Sequence, residues 1–410
     1  MKKILSFILP VLIIFLGTAC HRENPDPLKN IVTVELTDVQ KNLVVSNNTF
    51  GLNLFSQISS DDGIKNNNFI SPLSVSLALA MTYNGANGDT KTEIQNTLGF
   101  SGFSNEEING YFQKLSSTLV KLDPTVNLNL ANSIWYRKDF SVLPDFLATN
   151  QAYYQAEISA LDFSSPSSVN TINNWVLQAT SGNIPKVIDH IEAYQVMFLI
   201  NAIYFKGQWS YQFKKNQTAP DYFNNLDGSR TSVPFMHQSK SPLKYYSNDS
   251  LQILEMSYGQ GNFAMDILLP AAGKTIAELS DGLNTQSWND LMDKLFKTEV
   301  DVIFPKFSFT FSRMLNDDLA ALGMPKAFSK SEADFTGINP QGNLYIDYVK
   351  HDSRVEVNEE GTVAAAATTV AVGKTSAGPP LTFRADHPFV FAIRETTTGT
   401  ILFIGNISVL

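Results

Sequence analysis

Apolar side chains at Val126, Leu128 and Leu130 alternate with Asn127 and Asn129, the period of two that marks a strand with one buried face. Residues 196–205 break that alternation: nearly every position is apolar, which predicts a strand covered on both faces. Phe307, Phe309 and Phe311 alternate with Ser308 and Thr310, and residues 389–393 and 401–404 flank a threonine-rich turn containing Gly399, which predicts a hairpin. Earlier in the chain the pattern is helical. Ser71 and Pro72 supply a cap and a first-turn proline ahead of Val75, Leu77, Ala78, Leu79 and Met81, so a mostly buried helix starts there. Thr90 with Glu93 three residues on predicts a capping box for a second, short helix. Helices in the first half and strands dominating the second give an α+β class. From about residue 45 to 410 the chain has no long linker, low-complexity tract or internal repeat, so one large domain is expected.

The first twenty residues follow other rules. Lys2 and Lys3 precede an apolar run over residues 4–16, interrupted by Pro10, and then Gly17, Thr18 and Ala19 lead to Cys20. This reads as a signal peptide over residues 1–20, too short for a comfortable transmembrane helix. A lone cysteine directly behind small residues resembles the lipid-modified cysteine of a bacterial lipoprotein, although Gly17 stands where leucine is usual; ordinary cleavage near Ala19 or Cys20 is the alternative. Residues 21–30, polar and carrying Pro25 and Pro27, read as a tether, and residues 21–44 together as tether and domain entry. The expected location is outside the inner membrane, as an outer-membrane or cell-surface lipoprotein anchored through its lipid.

Charge narrows the function classes. A formal net charge of −9, with no basic tract, argues against nucleic-acid binding, which demands clustered cations. Cys20 is the only cysteine, so no intrachain disulfide can form. The histidines are His21, His190, His237, His351 and His387, and none stands in a nucleophile-elbow or metal-ligand spacing. His351 and Asp352 are adjacent, but neighbouring residues of a strand point to opposite faces and make no dyad. The expectation is therefore no catalytic residues, no metal, no cofactor, and a monomer.

One stretch fits no packed element. Between Gly361 and Pro380 lie four consecutive alanines, several threonines and valines, Gly373, Gly378 and Pro379, with Lys374 the only charge. A buried strand favours larger apolar residues, alanine-rich chain favours helix, and long structureless loops in compact domains are usually functional.

Glu359, Glu360, Gly361, Thr362, Val363, Ala364, Ala365, Ala366, Ala367, Thr368 and Thr369 resemble the reactive-loop hinge of inhibitory serpins. Further motifs follow in that family's order. They are Asn68 to Val75 with Met81 and Gly85 to Thr90, Asn173-Asn174-Trp175-Val176, Leu199 to Trp209, and Phe383 to Phe389 with Gly405-Asn406. The resemblance covers essentially the whole mature chain and implies three β-sheets, about nine helices and an exposed loop over about residues 359–380. It also implies a metastable fold whose central sheet accepts the loop as an added strand. The activity implied is suicide-substrate inhibition of serine endopeptidases, with cysteine endopeptidases as a further class, through loop cleavage, acyl-enzyme trapping and loop insertion.

Alternation puts Thr362, Ala364, Ala366 and Thr368 on one side of such a strand, all small and uncharged, so they can enter a packed interior without desolvating a charge. The resemblance also assigns Ser71, Ser74, Asn201 and His351 to a polar cluster governing opening of the sheet. Trp209 falls where the loop first enters, with Lys306 and Glu359 as an ion pair at the top of the sheet. Counting from the hinge glycine gives Thr375-Ser376 as the reactive bond, with Lys374-Thr375 as the alternative. Lys374 suits trypsin-like proteases; Thr375 suits elastase-like or subtilisin-like pockets. A serpin-fold binding protein that does not inhibit is the competing reading.

Overall fold

The computed structural model describes residue 28 and residues 31–61, 64–362 and 381–410. Cys20 with its leader, and the loop positions Val363, Ala364, Ala365, Ala366, Ala367, Thr368, Lys374, Thr375 and Ser376, lie outside the described residues.

Nine α-helices occur among the described residues, six of them before residue 180. The helix Pro72–Tyr83 starts as its sequence predicts: Ser71 accepts from the Ser74 N–H, Pro72 fills the first turn, and every residue except Ala78 is buried. It passes behind the strands Met197–Gln208 and Ile401–Ile407, at the centre of the molecule. The helix Gly88–Thr97 also forms, but not through the expected capping box. Asn87 occupies the cap position without a side-chain cap bond, while Thr90 accepts from the Asp334 N–H and Glu93 from the Lys326 N–H, both at 2.9 Å. Both side chains are claimed by the 325–334 segment, so a tertiary partner overrides the local motif.

A six-stranded sheet runs in the order Phe307–Met314, Lys350–Asn358, Gly361–Thr362, Met197–Gln208, Val126–Arg137 and Glu157–Leu161. Behind it, nine further strands are hydrogen-bonded into one continuous surface. The long strand Arg230–Ser247 divides that surface, because its register slips between Gln238 and Ser241 and Lys240 adopts φ +52°. Its first half carries Ala219–Asn224 and its second half pairs with Leu251–Tyr258. The expected three sheets are thus present with two of them joined through this bend.

The predicted hairpin forms between Phe389–Glu395 and Ile401–Ile407, with Gly399 at φ +74° in its turn. The two sheets meet over aromatic rings. Phe69 stacks on Phe403 at 5.0 Å and on Phe391 at 5.6 Å, and Phe307 packs against Phe391 at 5.6 Å, so the alternating phenylalanines of 307–314 face this interior.

Candidate functional site: the loop hinge and the slot beneath it

The chain turns at Glu359-Glu360 and re-enters the six-stranded sheet. Gly361 and Thr362 form a two-residue strand wedged between 350–358 and 197–208, with Gly361 opposite Asn358 and Gln208, and Thr362 opposite Val357 and Gly207. Gly361 has to be glycine: φ is +151°, and a Cβ there would stand 2.0 Å from the Gly207 carbonyl oxygen. Gly207 is equally confined, since its Cβ would lie 2.8 Å from the Tyr258 ring. Thr362 is buried, and its hydroxyl hydrogen-bonds the Tyr258 hydroxyl at 2.7 Å.

Tyr258 is the hub of this corner. Trp209 stacks on it at 4.4 Å and 16°, donates through Nε1 to the Asn358 carbonyl at 3.0 Å, and donates its backbone N–H to the Glu360 carbonyl at 2.9 Å. Burial pushes the Tyr258 phenol above its usual pKa, so it stays a neutral hydroxyl, able to donate to or accept from Thr362. Lys306 pairs with Glu359 at 2.8 Å, and the Thr218 hydroxyl donates to the same carboxylate at 2.8 Å. Burial works against a charge on Glu359, but the hydrogen bonds from Lys306 and its other donors prevail and hold its carboxyl below the usual range. Lys215 pairs with Glu360 at 2.5 Å.

Below Thr362 the two flanking strands part. Among the described residues 197–208 and 350–358 make no ladder pairing with each other, and a cavity of about 240 Å³ opens between them, lined by Leu199, Asn201, Val349 and His351. The structure brings Ser71, Ser74 and His351 together here, Ser74 and His351 lining the cavity and Ser71 buried beside them. Nε2 of His351 accepts the Ser71 N–H at 3.1 Å, and the Ser71 hydroxyl accepts from the Ser74 N–H at 3.2 Å and donates to the Leu402 carbonyl at 2.7 Å. Asn201 lines the same cavity but is not bonded to those three. Its Nδ2 donates across the ladder to Asn132 Oδ1 at 2.8 Å, and its Oδ1 has no hydrogen-bond partner among the described residues.

Burial drives the His351 pKa down to about 4, so the ring is neutral at neutral pH, with its proton on Nδ1 because Nε2 is an acceptor. A histidine depressed in the fold binds its proton only in the unfolded chain between pH 6.5 and about 4, so its stability contribution is whole above 6.5 and lost as pH falls to about 4. The loss expected is roughly 3 kcal/mol. Urea midpoints measured at pH 7 and pH 4.5 should fall further for the wild type than for His351→Asn.

Sequence reasoning named Trp209, Lys306, Glu359 and Thr362, which the structure gathers within this corner, but it missed Tyr258, Thr218 and Lys215. Tyr258 closes an ordinary apolar strand, Leu251–Tyr258, and nothing in that pattern distinguishes it. The one signal in the sequence is Gly207, within the Leu199 to Trp209 motif: a glycine in a buried strand announces a close approach by something large, here the Tyr258 ring.

The sequence profile described as "Serpin (serine protease inhibitor)" matches residues 45–409. The chain belongs to the serpin family. Human leukocyte elastase inhibitor is 36% identical to this serpin over 379 residues, covering 88% of this chain and 98% of its own. Among solved structures, the native state of the thermophilic serpin tengpin is 34% identical, with a TM-score of 0.81 over 93% of this chain and 97% of its own. Human thyroxine-binding globulin, solved in complex with thyroxine, is 28% identical, with a TM-score of 0.82 over 90% of this chain and 99% of its own. This serpin is thus a member of a family of protease inhibitors and not an enzyme.

Proposed function

We propose that this serpin is a suicide-substrate inhibitor of serine endopeptidases. The protease cuts the loop at Thr375-Ser376 or Lys374-Thr375, and the acyl-enzyme is trapped as the loop enters the six-stranded sheet. The observation that carries the reading is the hinge itself: Gly361 and Thr362 are already seated as a strand between 350–358 and 197–208, directly above the gap that a longer strand would fill. Support also comes from Ala364, Ala366 and Thr368, which continue the small, uncharged alternation begun by Thr362.

Trypsin-like, elastase-like and subtilisin-like proteases would each be incubated with the protein and run on a denaturing gel. A covalent high-mass band is the expected result. Clipping without that band would sink the trapping mechanism, and intact protein after exposure to every protease would favour the non-inhibitory binding reading.

The same proposal places the protein outside the inner membrane as a lipoprotein acylated at Cys20. Cys20→Ala is expected to abolish lipid attachment and shift the protein from the membrane fraction to the soluble fraction, read by fractionation and by mass spectrometry of the mature N-terminus. A wild-type N-terminus free of lipid would remove the anchor and leave the inhibitor reading standing.

A further inference from the structure

Within the stretch expected as tether and domain entry, Leu28 and residues 31–34 are docked on the domain, at the end that carries the hinge. Val32 commits both backbone groups to one side chain: its N–H donates to Asn262 Oδ1 at 3.1 Å, and its carbonyl accepts from Asn262 Nδ2 at 2.6 Å. Val34 is buried and donates its N–H to the Thr397 hydroxyl at 3.1 Å. Leu28 and Ile31 lie over Gly261, where a Cβ would stand 2.9 Å from Leu28 Cδ2 and 3.1 Å from Ile31 Cγ1. The two turns that receive this strap are tied together, since Thr396 donates its N–H to the Asn262 carbonyl and its hydroxyl to the Gly261 carbonyl, both at 2.9 Å. The same 258–263 turn reaches the hinge: the Gly259 N–H donates to the Gln208 carbonyl at 2.8 Å, and Gln208 is the register partner of Gly361.

Neighbouring strands stand about 5 Å apart, so the path from Leu28 to Gly361 spans at most about 25 Å. Only seven residues, eight Cα–Cα steps, separate Cys20 from Leu28. They reach at most about 30 Å when extended and roughly 15 Å as a coil. A domain of this length is roughly 55 Å across, so an attachment at the far end would lift the hinge well beyond those figures.

We propose that the loop-bearing end of the molecule faces the membrane, with the hinge roughly 40 Å and at most about 55 Å above it. The partner this fits is a serine endopeptidase held at the same surface. The inference rests on acylation of Cys20 as proposed above.

Because acylation consumes the only native thiol, a cysteine introduced at exposed Asn216, next to the Lys215 that pairs with Glu360, or at exposed Met314, at the other end of the six-stranded sheet, can be labelled alone on vesicle-bound protein. Energy transfer from these dyes to acceptor lipid is expected to be about twofold higher from Asn216→Cys than from Met314→Cys, with the difference narrowed by Asn262→Ala. The reverse order on protein that sediments with vesicles would overturn the orientation alone. Protein that fails to sediment, with Cys20 unmodified, would overturn the anchor and this inference with it. A protease of the susceptible class, displayed on the same vesicles by a short chelating-lipid tether, should be inhibited at least about fivefold faster than when raised on a rigid spacer beyond about 100 Å. Equal rates would overturn the choice of partner.

Discussion

Thr362→Arg is expected to turn the inhibitor into a substrate. Thr362 is buried against Tyr258 within the sheet, so an arginine there forces a charge into a packed corner and removes the hydroxyl pair. The proposed reactive bond lies beyond residue 373, so recognition and acylation by the protease proceed. Insertion stalls and the acyl-enzyme hydrolyses. The amount of inhibitor consumed per protease inactivated should rise at least about tenfold, because the cost of a buried unpaired charge is several kcal/mol. Densitometry of covalent complex against cleaved product measures the ratio. Thr362→Val, which keeps the shape and loses only the hydroxyl, should retain most inhibition while folding normally. Stoichiometric inhibition by the arginine variant would leave a tight reversible lock as the better mechanism.

Cleaving the loop is expected to raise thermal stability, the opposite of what a nick does to most domains. Among the described residues, the strands 197–208 and 350–358 make no ladder with each other, and below Thr362 the cavity lies between them. Once the loop is cut, the segment after Thr362 can complete both ladders and fill the gap with small side chains. The melting midpoint of loop-cleaved protein should exceed that of the intact form by about 5 °C or more, as an added strand worth several kcal/mol implies for a domain of this size. Differential scanning calorimetry on both forms decides it, and an equal or lower midpoint after cleavage would exclude an insertable loop.

Much of this architecture is legible in local pattern, because period and turn chemistry are local. The strands at 126–130 and 307–311, the buried helix behind Ser71-Pro72 and the hairpin around Gly399 follow from neighbouring residues alone. What escaped depends on partners distant in sequence. Thr90 and Glu93 have the spacing of a cap, yet bond a segment more than 230 residues away. The joining of two sheets turns on an irregularity at Gln238–Ser241 that no hydrophobic period encodes. Family resemblance pointed to Ser71, Ser74, Asn201 and His351 as one cluster, but Asn201 spends its amide on its cross-strand neighbour Asn132. Tyr258 carries the hinge through stacking and a single hydroxyl, neither of which leaves a trace in its own segment.

The fixed pairing of Gly361 with Gln208 and Thr362 with Gly207 also works as a ruler. Each residue that follows the hinge into the gap would take the next position back along its neighbour, until Val372 stands beside Met197, where that strand begins. The template therefore runs out three residues before Thr375. A protease esterified to Thr375 would be drawn along the full length of the sheet and left hanging just past its end, its active site pulled against the body of the inhibitor by a leash too short to give slack.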